Sequence, residues 1–236
     1  MNSVLQTAAD RRVTIFGGDV PASNLDLGLA TVIALGLPFT AAWLFERTDG
    51  ALLGLLLYYG VCWAVPRWRK GTWDYRWPAR WPWPLFGTSL LVPLAIAAIN
   101  WGALPRQQAP AAGFAVTLCL WAPLNAATEQ LSWQYVLDSW RNRWPGRPRR
   151  WIGLAIGIAL LLVLVGMIHV LFWSRFLPTA RPTRWSWLGI PLNFVLTATY
   201  VLLYYRARSM WPVFWVHLLA DLQLVLLAHY SILPDL

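Results

Sequence analysis

Charge is scarce in this chain. Only 12% of its 236 residues are Asp, Glu, Lys or Arg, and only ten are acidic. A soluble domain carries about 25% charged residues. So little charge, beside 58% hydrophobic residues and a mean hydropathy of +0.48, excludes an ordinary water-soluble fold. Cysteine is nearly missing too. Cys62 and Cys119 both fall inside apolar runs, which excludes a disulfide framework and a cysteine-based metal site. There is no HExxH, no internal repeat and no low-complexity linker. The opening MNSVLQTAADRR lacks the basic-then-apolar order and nearby small-residue cleavage site of a signal peptide, so the first apolar helix is expected to be retained.

What the chain does have is long apolar runs. They lie near 27 to 45, 50 to 66, 85 to 104, 112 to 140, 152 to 173, 185 to 205 and 210 to 229. About 20 helical residues cross roughly 30 Å of hydrocarbon. The runs are continuous rather than alternating, and a lipid-facing backbone must satisfy its own hydrogen bonds, so helices are preferred to strands. The expected fold is all-α, a polytopic transmembrane helical bundle of about seven spans. Residues 1–25 are expected to form a cytoplasmic arm and 26–236 a single transmembrane helical domain.

The nineteen basic residues set an orientation. With the N-terminus in the cytoplasm, fourteen fall on that side, from Arg11 and Arg12 through Arg206 and Arg208. Only Arg47, Arg106, Arg175, Arg181 and Arg184 fall on the other. The net charge of +9 therefore reads as topology and attraction to anionic headgroups, not as a nucleic-acid surface. The stretch RWRKGTWDYRWPARWPWP, 67 to 84, is likewise read as interfacial anchoring between two spans. Eighteen tryptophans are many for one chain, and contact with a protein partner or a pigment is the alternative use for some of them.

Against this background a few polar residues stand out, because an ionisable group near the bilayer centre costs about 2.5 to 3.5 kcal/mol even on the lenient insertion scale. Glu129 lies in NAATEQLSWQ, His169 in the fifth span, and His217 with Asp221 in MWPVFWVHLLAD. His217 and Asp221 are four apart and share a helix face, as do Asn125, Glu129 and Trp133. Three spans thus each offer one inward polar stripe. His229 is read as interfacial.

The order and spacing of these residues resemble three motifs, EExxxR, FxxxH and HxxxN or HxxxD. They are those of the type II CAAX prenyl endopeptidase and bacteriocin-processing (CPBP) intramembrane proteases. Glu129, Gln130 and Gln134 stand at the first, Val165 and His169 at the second, and His217 and Asp221 at the third. The resemblant core covers 112–229. It implies an intramembrane peptidase of the cytoplasmic (inner) membrane, acting on a peptide or a membrane-tethered protein tail. Glu129 would deprotonate a water, His169 would orient it or carry a proton onward, and His217 would stabilise the oxyanion. Asp221 would be protonated or would orient His217, with Asn125, Gln130 and Gln134 in support. No cofactor is implied. Zinc on Glu129, His169 and His217 is the metal alternative.

The sequence departs from the motifs by holding glutamine at 130 and 134, where a Glu and an Arg four residues apart would pair. Losing both charges together leaves no unpaired buried ion, and two amides can still hydrogen-bond at this spacing. The other reading is an inactive relative kept as an accessory subunit of a membrane complex, its histidines holding a pigment or haem. Depth poses a second difficulty. At about 1.5 Å per residue, Glu129 lies about 16 Å from Trp140 and His217 about 10 Å from Trp211, but His169 lies about 27 Å from Trp151. A later start for the fifth span, with 149–157 along the surface, would reconcile them.

Overall fold

The structure, a computed structural model, describes residues 21–104, 106–144, 147–177 and 186–233. Most of the expected N-terminal arm, including Arg11 and Arg12, and the outer arginines 181 and 184 lie outside the described residues. Among those described there are seven long helices and no strand.

Helix α1 (Asn24–Thr48) opens on a capping box in which Ser23 and Asp26 satisfy each other's backbone N–H groups. Helix α2 (Ala51–Lys70) closes on Gly71 at φ 78°, a left-handed residue that favours glycine, with Arg67, Arg69 and Lys70 at the negative end of its dipole. Arg69 Nε lies 3.0 Å from Asp26 Oδ1 and so ties α2 to the start of α1. Helix α3 (Trp83–Ala103) and helix α7 (Trp211–Ala228) each carry proline in the first turn, where no N–H is needed. Helix α4 (Ala111–Arg141) contains a π-helical turn at Thr117–Trp121. Helix α5 (Arg147–Leu171) is followed by a 3₁₀ turn, Trp173–Arg175, and helix α6 spans Ser186–Ala207.

Six of these helices are long and apolar enough to cross a membrane; α6 is the exception among the described residues. It forms where the sixth run was expected, but Asn193, Thr197, Thr199 and Tyr200 dilute its hydropathy. The fifth span does not start late. Helix α5 is continuous through 149–157.

Helix α4 is the central pillar, packed by α1, α2, α5 and α7, while α3 leans on α6 and α7. Polarity and burial are inverted relative to a soluble protein. Thr128, Glu129, Gln130, Ser132, Gln134, Asp138 and Ser139 of α4 are buried, whereas Val32, Phe39, Leu56, Leu94, Val170 and Leu202 face outward. Polar groups face other helices because those can bond them, and hydrocarbon cannot.

Two glycines bring α5 against α4. A Cβ on Gly153 would lie 2.3 Å from the Trp140 carbonyl oxygen, and one on Gly157 would lie 2.7 Å from that of Leu137. This is the close backbone approach that a GxxxG spacing permits. The antiparallel register it fixes sets His169 opposite about residue 125, one turn or roughly 6 Å from the level of Glu129. The depth discrepancy thus disappears without a late start, because the two helices are offset where they meet.

Candidate active site

Three helices bring the polar stripes together as expected. Asn125 and Glu129 from α4, His169 from α5, and His217 with Asp221 from α7 line one cavity of about 100 Å³. Helix α7 runs antiparallel to α4, so Asn125 meets Asp221 while Gln130 meets His217 one turn away. Glu129, 3% exposed, is the buried carboxylate at the centre. Its Oε2 lies 3.5 Å from His217 Nε2.

The hydrogen bonds assign the protons. Gln130 donates its amide nitrogen to the Ala126 carbonyl and, at 3.2 Å, to the Tyr75 hydroxyl. A carbonyl only accepts, so the remaining Gln130 atom is the amide oxygen, 2.9 Å from His217 Nδ1. His217 therefore carries its proton on Nδ1 and presents a lone pair at Nε2. Asn125 agrees with this. Its Nδ2 donates to Asp221 Oδ2 at 3.0 Å and faces His217 Nε2 at 3.4 Å, while its Oδ1 accepts from the Tyr59 hydroxyl at 2.9 Å. Asp221 itself stands 3.7 Å from His217 Nε2 and is linked to it through Asn125. His169 donates Nδ1–H to the Val165 carbonyl at 2.7 Å, which leaves its Nε2 an acceptor as well.

The two glutamines do not bond each other. Gln130 is taken up by Ala126, Tyr75 and His217, whereas both amide atoms of fully buried Gln134 find no hydrogen-bond partner among the described residues. Helical spacing alone sufficed to bring them to one face, but longer-range partners outcompeted the local pair. The loop between α2 and α3 supplies one of those partners. Tyr75 donates its hydroxyl to the Ala127 carbonyl at 2.7 Å, and burial holds that hydroxyl above its ordinary range, so it remains a donor. Nearby, Asp74 accepts from Tyr204 at 2.6 Å, and Ser209 and Trp211 donate to the carbonyls of Arg76 and Tyr75.

Several residues at the site did not stand out in the sequence. Tyr58 donates to Glu129 Oε1 at 2.5 Å, and Trp173 Nε1–H reaches the same oxygen at 3.3 Å. Tyr200 of α6 stacks on His217 with ring centroids 5.1 Å apart and planes at 28°, and Trp133 stacks on both. Spacing offers no signal for these aromatics, which resemble core or interfacial belt. Tyr58 and Tyr59 do, however, stand together in an otherwise aliphatic run. His229 stacks on Phe114 at the end of α7 and does not line the cavity. Among the described residues no group of three or more His, Cys, Asp or Glu is placed to hold a metal ion, so the alternative zinc set over Glu129, His169 and His217 is not assembled there.

Residues 109–223 match the family model described as Type II CAAX prenyl endopeptidase Rce1-like. The match takes in α4, α5, α6 and most of α7 and includes Glu129, His169, His217 and Asp221, which bears out the resemblance read from the three motifs. None of the curated proteins and none of the solved structures compared with the chain matches it.

Proposed function

We propose that this multi-pass membrane protein, Rce1-like over residues 109–223, is an intramembrane peptidase that splits a peptide bond with a water activated by Glu129. The observation that carries the reading is a buried carboxylate whose Oε2 faces an imidazole lone pair across 3.5 Å, in a cavity lined by residues of α3 to α7. A water seated beside that pair donates one proton to Glu129 Oε2 and lies within reach of His217 Nε2. Glu129 takes the proton as the water oxygen attacks the peptide carbonyl, and later returns it to the leaving amine. His217 holds the water rather than the oxyanion, since its Nδ1–H is committed to Gln130. His169 presents a second acceptor about a turn deeper, towards the substrate chain. Asn125 and Asp221 fix the face of His217. Tyr58 and Trp173, both on Oε1, keep Glu129 Oε2 turned to the water.

The substrate class that fits is a peptide or the tail of a membrane-tethered protein, reaching the site from the bilayer. The single helical domain, read from a chain without repeat or low-complexity linker, the cytoplasmic N-terminus, read from the arginine distribution, and the inner-membrane location belong to the same proposal. Glu129→Gln keeps the shape of the side chain and removes the base. With a quenched-fluorescence peptide library in mild detergent, its cleavage rate is expected to fall by about 10²–10⁴-fold. Equal rates for Glu129→Gln and the unaltered chain would overturn the reading.

A second reading, an inactive accessory subunit, is favoured by Gln134, whose buried amide lacks the partner an active first motif would give it. Stable co-purifying subunits or a bound pigment, together with no cleavage, would establish it.

A further inference from the structure

Hydrolysis by the route above develops negative charge on the peptide carbonyl oxygen, and a donor must meet it. The residues already assigned supply none. His217 and His169 both present lone pairs at Nε2, Glu129 is the base, and Asp221 is taken up by Asn125. Asn125 has turned its amide protons to Asp221 and His217. Thr197 donates to the Asn193 carbonyl, and Asn193 is itself engaged. Trp133 Nε1–H is a buried donor that lies beside the Tyr58 hydroxyl and makes no hydrogen bond among the described residues.

Tyr200 is different. Its side chain lines the cavity, is 1% exposed, and carries a buried hydroxyl with no hydrogen-bond partner among the described residues. A buried O–H left unbonded costs about 1–3 kcal/mol, and its ring is held in place by stacking on His217 and Trp133. We propose that the Tyr200 hydroxyl is the oxyanion donor of this site, a catalytic residue contributed by α6. The proposal rests on the peptidase reading.

The step then balances. The water oxygen bonds to the carbonyl carbon as Glu129 accepts a proton, and the carbonyl π pair moves onto oxygen, where Tyr200 O–H donates to it. Collapse restores C=O, breaks C–N, and sends the Glu129 proton to the amine, giving one acid and one amine per water.

Tyr200→Phe retains the ring and its stacking and deletes only the donor. Cleavage of the quenched peptide library is expected to lose about 10²–10³-fold in kcat with KM nearly unchanged. Affinity for a peptide phosphinate, which mimics the tetrahedral oxyanion, should weaken while affinity for an uncleavable substrate-like peptide stays constant. A merely structural role would move both affinities or lower the thermal midpoint. If Tyr200→Phe cleaves at the unaltered rate while Glu129→Gln does not, the oxyanion assignment is overturned and the peptidase stands. If Glu129→Gln equals the unaltered chain, both fall together.

Discussion

At the scale of single residues, the tautomer of His217 rests on one glutamine. Gln130 sits between a backbone carbonyl and an imidazole, and its amide oxygen holds the proton on Nδ1. Gln130→Leu strands Nδ1–H in an apolar setting and is expected to cost about 1–3 kcal/mol, seen as a lowered thermal midpoint in detergent together with weaker peptide cleavage. A midpoint equal to that of the unaltered chain would mean that His217 finds another acceptor. The ionisable members of this cluster were legible in the sequence because Glu129, His169, His217 and Asp221 each interrupt an apolar run. Their partners were not. Tyr58, Tyr59, Trp173 and Tyr200 are amphipathic, and nothing in local spacing distinguishes a tyrosine bonded to a carboxylate from one packed in a core.

At the scale of helices, the site is held in register by the contact between α4 and α5. The three inward stripes followed from i, i+4 spacing, but their relative depth did not. It depends on where two helices touch, and measuring each from its own end gave a false mismatch for His169. The signal that sets the depth, Gly153 and Gly157 four apart, was present as a GxxxG spacing. Gly157→Leu places side-chain atoms where the Leu137 carbonyl already stands 2.7 Å from a bare Cβ. Forcing the helices apart should destabilise the bundle by about 1–3 kcal/mol and carry His169 away from the cavity. Thermal denaturation and cleavage assays would record both, and an unchanged midpoint would refute the tight register. Burial gave no expectation for α6 beyond its existence; polar Asn193 and Thr197 sit on the cavity wall, which is why the helix is less apolar than its neighbours.

At the scale of the whole molecule, the inverted distribution of polarity separates two kinds of surface. Leu94 of α3, 52% exposed, faces outward. Leu94→Lys should therefore cost about 2.5–3.5 kcal/mol of insertion free energy, measured with a translocon insertion assay on α3, and insertion at the unaltered level would argue against a lipid-facing α3. The composition had made the membrane legible from the start. It could not show that the central helix would bury its polar residues from Asn125 to Ser139, because hydropathy averages over faces and that half of α4 has no exposed face. The cavity beside that helix has room for only a handful of waters, and the sheath around it is hydrocarbon-facing. The proposed hydrolysis would therefore use the solvent as a scarce reagent: each turnover would remove one molecule from a small reserve, and the supply from outside would become a step with its own rate.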